Sequence, residues 1–235
     1  MSPSPVMVIT GTSRGIGRGL AEHFAARGYR VAGCSRGPAT LAMEGYTHTQ
    51  LDVGDEHQVQ AWIRGVRRTH QHLDVLVCNA GLVPPPQLLT QTSGETLEAL
   101  WRTNLSGTFY VCREVAKAML LQRSGRIITL SSMAVGLHEE GTSGYAASKS
   151  AVVEMTKILA KELAPSGITC NVLAPSLIET GAVEALGPAV IARALGKLTI
   201  PRPLRLEEIC HAVAFFAAPE SACITGQVLH LGLVT

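Results

Sequence analysis

Charge is scarce in this sequence. Asp, Glu, Lys and Arg make up 16% of its 235 residues, against roughly 25% in an average soluble domain. The 20 Lys plus Arg nearly balance 18 Asp plus Glu, for a formal net charge of +2. Such a balance predicts no surface of the strength that nucleic acids require, and no nucleic-acid partner is expected. No apolar run approaches the ~20 residues of a membrane-spanning helix, so no membrane partner is expected either. The six cysteines, at 34, 78, 112, 170, 210 and 223, form no close Cys-x-x-Cys pair. They read as reduced core residues, with a disulfide framework or a metal site as the weaker alternative, and no metal ligands are assigned. Met1 to Pro5 lack a basic region leading into an apolar stretch; no signal peptide is expected, and the predicted setting is cytoplasmic. Composition shifts, internal repeats and low-complexity tails are also missing, and the length suits a single domain.

What is abundant is apolar: 46% hydrophobic residues and 23 glycines, which imply an extensive interior. Apolar runs alternate with helical spacing along the chain. Strands are predicted at Val6 to Ile9, Arg30 to Cys34, a stretch ending at Leu51, Asp74 to Cys78, Gly125 to Ser131, Ile168 to Leu173 and Gln227 to Leu231. Helices are predicted at Arg18 to Ala26, Glu56 to Thr69, a long region ending near Gln122, Ser143 to Ala164, Ala182 to Leu195 and Leu206 to Ala217. Gly37 to Gly45 is too short and broken for a crossover helix. Seven strands separated mainly by helix-length intervals predict an α/β fold: a Rossmann-like, doubly wound, mostly parallel sheet with helices on both faces, as one domain over residues 1–235.

The first strand runs into Thr10-Gly11-Thr12-Ser13-Arg14-Gly15-Ile16-Gly17. Glycines there let backbone approach a pyrophosphate at a helix amino terminus. Their spacing differs from the ordinary G-x-G-x-x-G fingerprint, and a purely structural turn is the competing reading. An NAD-binding chain usually places Asp or Glu about 20 residues further on. This sequence has Ser35-Arg36 instead. A serine hydroxyl and a guanidinium suit a ribose phosphate, with Arg14 as a second cation, so NADP(H) is predicted over NAD(H). The alternative is that both arginines are solvated surface charges. Asp52, followed by Val53, either accepts from the adenine amino group or caps the next turn. Asn79-Ala80-Gly81 ends the fourth strand with small residues beside the cofactor, unless Asn79 only satisfies backbone groups.

Ser131 and Ser132 end the fifth predicted strand, at the edge where doubly wound sheets bind ligands. Tyr145 and Lys149 follow, four residues apart and so on one face of the predicted helix. The lysine ammonium is expected to lower the tyrosine pKa. Tyr145 would then give a proton to a carbonyl oxygen held by Ser132 as hydride arrives, with Lys149 also orienting the cofactor ribose. A Tyr-x-x-x-Lys pair alone arises by chance on surface helices; the accompanying motifs are what raise it above that.

Taken together, these motifs resemble the short-chain dehydrogenase/reductase family, and most closely its 3-oxoacyl-acyl-carrier-protein reductase branch, over nearly the whole chain. The resemblance implies an NADP-dependent oxidoreductase reducing a 3-oxoacyl thioester. The alternatives kept are a ketoreductase or alcohol dehydrogenase for a small or specialised keto substrate and, more remotely, a non-catalytic NADP-binding regulatory subunit. By the same likeness Asn104 kinks its helix and holds a water linked to Lys149. Residue by residue, that gives a catalytic set of Asn104, Ser132, Tyr145 and Lys149. Pro175, Ile178 and Thr180 would contact the nicotinamide, although Ser176 replaces the usual glycine and Gly232-Leu233-Val234 replaces an Asn-Gly-Gly ending. Residues 181–204 would form a substrate lid. Glu139 and Glu140 would repel a free carboxylate if they face inward. Of the two arginines that receive an acidic carrier protein in the family, Arg123 is present and Ser166 replaces the other. Arg193, Lys197, Arg202 and Arg205 either compensate or are solvated. The segments Trp101 to Met119 and Ser143 to Leu163 resemble subunit-contact helices, implying a homotetramer, with a homodimer as the alternative.

Overall fold

The computed structural model describes residues 4–179 and 188–234. Its strands are β1 (Val6–Thr10), β2 (Arg30–Ser35), β3 (Tyr46–Gln50), β4 (Val75–Cys78), β5 (Gly125–Leu130), β6 (Ile168–Pro175) and β7 (Val228–Leu231). They form one sheet in the order β3-β2-β1-β4-β5-β6-β7. Every neighbouring pair is parallel, with Met7 opposite both Val31 and Val75. Parallel strands need crossovers that cover both faces, which explains why β1, β4 and β6 are buried along their whole length.

The helices are α1 (Gly15–Ala25), α2 (Glu56–His70), α3 (Gly94–Leu100), α4 (Gly107–Gln122), α5 (Ala134–Leu137), α6 (Ser143–Leu163), α7 (Pro188–Leu195) and α8 (Leu206–Ala217). Strand alternation divides the core between two layers. Val6, Val8, Leu76, Ile127 and Cys170 face α2, α4 and α6, where Trp62, Ile63, Val115 and Met119 complete one cluster. Met7, Ile9, Val75, Val77 and Ile128 face α1 and α8, against Leu20, Phe24, Ile209 and Phe216. All six cysteines are free and five are buried. Among the described residues no helix is long and apolar enough to cross a membrane.

Most differences from the predicted elements lie at boundaries. Helix α1 begins at Gly15 instead of Arg18, because buried Gly17 and Gly19 occupy its inner face where an amphipathic pattern would show large side chains. The long predicted helix before Gln122 is divided by a π-helical turn at Trp101–Ser106, and short α5 was not predicted. The predicted helix from Ala182 is seen from Pro188; residues 182–187 lie outside the described residues.

Two glycines show opposite constraints. A Cβ on Gly17 would run into Gly11 O and Asn79 Nδ2, whereas one on Gly65, inside α2, would meet nothing. Gly17→Ala should therefore destabilise the protein by about 1–3 kcal/mol through overpacking. Gly65→Ala should stabilise it by about 0.5–1 kcal/mol through helix propensity. Urea unfolding of the two variants checks both signs.

Candidate active site

Strand order reverses between β1 and β4, which opens a crevice at the carboxyl ends of the strands. The glycine turn enters it after β1. Gly11 and Gly15 adopt φ of +76° and +55°, and the Gly11 and Thr12 amides donate to Cys34 O at 2.8 and 3.0 Å. Asn79 braces the turn: its Nδ2 donates to Thr10 O at 3.0 Å and to Gly11 O at 3.2 Å. The Asn79 and Ala80 amides donate to Thr10 Oγ1. Asn79 thus performs the architectural role that the sequence left open.

Helix α1 follows with exposed Arg14 at its N-cap, no side-chain cap and no acidic residue in its first turn. By contrast α2 starts with Asp55 accepting from Gln58 N and with Glu56 in its first turn. The positive end of α1, flanked by Ser13 and Ile16, is left for an anion. Exposed Arg36 follows β2, and neither Arg14 nor Arg36 has an ion-pair partner among the described residues. The cradle fits a dinucleotide pyrophosphate with a further phosphate beside β2.

Two side chains expected at the nucleotide differ in orientation. Ser35 is buried, and its hydroxyl donates to Gly37 O at 3.0 Å, so it shapes the loop instead of reaching outward. Asp52 Oδ1 accepts from Gly54 N at 2.9 Å while Oδ2 pairs with Arg102 at 2.8 Å, which matches the turn-capping alternative. Val53 is buried and packs where a Cβ on Gly107 would stand.

The chemical end depends on how α6 lies along β5. Thr129 and Thr156 share a hydrogen bond of 2.9 Å, and Lys149 Nζ donates to Leu130 O at 2.9 Å. These ties set the register that brings Tyr145 beside Ser132 at the strand end. Burial raises the Tyr145 phenol above its ordinary pKa, with the Ser132 side chain acting in the opposite direction. The expectation that Lys149 depresses it is not met. Lys149 is itself buried, and the cost of desolvating its charge lowers its pKa from 10.5 to about 8, with nearby Cys78 opposing.

Asn104 lies fully buried in the π-helical turn, which supplies the expected local distortion. Its Oδ1 accepts from Leu82 N at 2.7 Å, and its Nδ2 donates to Leu82 O and Ser148 Oγ at 3.1 and 3.0 Å. Ser148, absent from the predicted set, donates to Tyr145 O at 2.7 Å. Nothing in its sequence position marked it, since its role arises from a contact with a residue 44 positions away. A Cβ on Gly81 would lie 3.4 Å from both Asn104 Oδ1 and Lys149 Nζ, so glycine there avoids crowding the two groups.

Pro175 ends β6 and Ile178 follows it at the carboxyl edge of the sheet; Thr180 lies outside the described residues. Pro175 O accepts from Met133 N, and Ile178 bridges Leu204. A Cβ on Gly232, whose φ is +81°, would stand 2.5 Å from Ser176 Oγ. The serine therefore occupies the space that its glycine partner leaves, and the two departures from the resembled pattern accommodate each other. Around the entrance, Lys197 pairs with Glu139 at 2.6 Å and Arg202 with Glu208 at 2.6 Å. Glu139 is thereby neutralised as an inward-facing repulsive charge, and both cations are taken from the basic set.

A family model described as Enoyl-(Acyl carrier protein) reductase matches residues 11–232. The 3-oxoacyl-[acyl-carrier-protein] reductase FabG of Escherichia coli (strain K12) is 37% identical over 232 residues, covering 96% of this chain and 95% of that protein. FabG of Staphylococcus aureus (strain Mu50) is 35% identical over 234 residues, covering 95% of each. Among solved structures, ElxO with NADP bound superposes with a TM-score of 0.90 at 28% identity, covering 97% of this chain and 96% of that one. Ligand-free Thermoplasma acidophilum aldohexose dehydrogenase gives 0.89 at 30% identity, covering 98% and 94%. Likeness that runs the length of the sequence and of the fold makes this chain a member of the short-chain dehydrogenase/reductase family of oxidoreductases.

Proposed function

We propose that this oxidoreductase reduces the keto group of a 3-oxoacyl thioester to the 3-hydroxyacyl thioester, with NADP(H) as its cofactor. The observation that carries this reading is the register of α6 on β5, which sets a buried lysine, a phenol and a serine hydroxyl at one strand end. The FabG relatives and NADP-bound ElxO support the substrate class and the cofactor. Bound NADPH would supply the hydride. Ser132 holds the substrate carbonyl oxygen, and Tyr145 donates its proton to that oxygen. A phenol raised by burial stays protonated at neutral pH, which suits the reductive direction. Lys149 binds the cofactor ribose hydroxyls, and Asn104 positions the segment around Leu82 and Ser148, the proposed place of a bridging water. Gly11, Ser13, Gly15, Ile16 and Gly17 hold the pyrophosphate; Arg14 and Arg36 hold the 2′-phosphate; Asp52, Val53, Asn79, Ala80 and Gly81 border the adenine side and the ribose. Pro175, Ile178 and Thr180 border the nicotinamide. The proposed unit is a single domain whose residues 181–204 cover the substrate. It would act in the cytoplasm as a homotetramer or homodimer; exposed Phe109, Leu120 and Ile158 on α4 and α6 support subunit contact.

One observation favours a second reading, a smaller ketone substrate. With Lys197 and Arg202 already paired to Glu139 and Glu208, fewer cations remain at the entrance to receive an acidic carrier protein. A substrate panel distinguishes the two. The proposal expects the highest kcat/KM with acetoacetyl carrier protein and with NADPH over NADH; activity on simple ketones with none on any 3-oxoacyl thioester would overturn it.

Tyr145→Phe should lower kcat by on the order of 10²-fold or more while the Kd for NADPH changes little. Steady-state kinetics and a fluorescence titration read the two effects separately. A non-catalytic nucleotide-binding subunit would show no turnover for the substitution to remove.

The lowered Lys149 pKa also predicts a pH-dependent stability. Below about pH 8 the folded protein carries the whole cost of a buried ammonium. Between that value and the ordinary 10.5 the unfolded chain binds the extra proton, so raising the pH stabilises the native state. The Tm of the wild type relative to Lys149→Met should climb across this window. Parallel Tm curves would contradict it.

A further inference from the structure

Four side chains beneath the nucleotide end form a connected group that the chemistry above does not use. Tyr46 and His48 stand two residues apart on β3 and so share a face of that edge strand. The Tyr46 hydroxyl lies 2.7 Å from Thr12 Oγ1, within the glycine turn, and 2.8 Å from His48 Nδ1. On the other side of the imidazole, Nε2 lies 3.2 Å from Gly37 O and 3.2 Å from Ser35 Oγ. Gly37 is the residue after Arg36, and its carbonyl also accepts from Ser35 Oγ.

The donors and acceptors fix a consistent direction. A carbonyl only accepts, so Nε2 is the protonated nitrogen facing Gly37 O, and a neutral imidazole then accepts at Nδ1. With the ring in that form Tyr46 donates to Nδ1 and accepts from Thr12, whose hydroxyl also lies 3.4 Å from Cys34 O. The result is a relay, Thr12 to Tyr46 to His48 to Gly37, that ties the pyrophosphate turn to the loop bearing Arg36. Burial raises the Tyr46 pKa, consistent with a hydroxyl that keeps its proton to donate. The backbone is built around this crossing: a Cβ on Gly33 of β2 would stand 2.6 Å from both Thr12 Oγ1 and the Tyr46 hydroxyl. Only glycine leaves the tyrosine a path over β2 to the glycine turn.

Resting on the NADP(H) reading, we infer that Tyr46 and His48 are positioning residues for the 2′-phosphate: they hold the Ser35–Gly37 loop so that Arg36 presents its guanidinium to that group. Beyond the relay, Gln50 Nε2 donates to Arg36 O at 2.9 Å and Thr40 Oγ1 donates to Ser13 O at 2.7 Å, but neither reaches the Gly37 carbonyl that the imidazole holds. No helix connects β2 to β3, and Arg36 itself is exposed and bound to no carboxylate among the described residues. A pre-ordered loop spares the complex the entropy of ordering a long cationic side chain on binding. Since the relay acts on the arm that meets the 2′-phosphate, its loss should weaken ligands bearing that phosphate and spare those without it.

Calorimetric titration of the whole protein with 2′,5′-ADP and with 5′-AMP isolates this effect, because the two probes differ only in the 2′-phosphate. Tyr46→Phe and His48→Leu should each raise the Kd for 2′,5′-ADP about 10-fold, equivalent to about 1.4 kcal/mol, and leave that for 5′-AMP within about 2-fold. His48→Gln, which keeps a donor toward Gly37 O, should retain most of the preference. Either folded variant suffices, with thermal unfolding as the check. Equal weakening of both probes, or an unchanged preference, would overturn the inference. Arg36→Glu separates it from the reading beneath it. If that variant keeps the preference for 2′,5′-ADP, the cofactor assignment fails; if it abolishes the preference and the relay variants do not, the relay alone fails.

Discussion

The buried ammonium of Lys149 is the constraint around which the site is organised. A lysine this deep is costly unless its donors find acceptors, and the buried carboxyl end of β5 offers one at Leu130 O. With the Thr129–Thr156 pair further along, that bond fixes both the rotation and the translation of α6 on the sheet. The position of Tyr145, one helical turn before Lys149, is then no longer free. Register along one helix thus converts sequence spacing into a phenol beside a serine hydroxyl.

The same burial decides the acid-base character of the site. Before any cofactor is present, surrounding protein raises the phenol and lowers the ammonium, so each group is pushed toward its neutral form. A neutral phenol is the form that gives a proton to a nascent alcohol. The expected depression of Tyr145 by Lys149 took the ammonium's attraction to outweigh burial; burial is the largest cause acting on both groups.

Most of the architecture was legible because parallel strands covered on both faces appear as continuous apolar runs, such as Val6 to Ile9 and Asp74 to Cys78. Glycine spacing, Tyr145, Lys149 and Ser132 were legible because their chemistry depends on local spacing. Contacts between distant segments were not. Ser148 looks like any helical serine until Asn104 is placed against it. Tyr46 and His48 look like alternating residues of an edge strand until Gly33 is seen to open the way to Thr12. The π-helical turn left no mark in proline content or helical spacing; only the resemblance, through Asn104, implied a distortion there. Ser176 and Gly232 were read separately as two anomalies, and only their shared space shows them as one arrangement.

In the proposed mechanism Tyr145 delivers a proton to the carbonyl oxygen in the same step that carbon receives hydride. Isotope effects on single-turnover reduction of acetoacetyl carrier protein test this most directly, using NADPH deuterated at the transferred position, in water and in heavy water. Concerted transfer requires that each isotope slow the step, and that the slowing by deuterated cofactor persist in heavy water. A full hydride isotope effect with no solvent effect at any pH would contradict it, because the proton would then move outside the step that Tyr145 is held to serve.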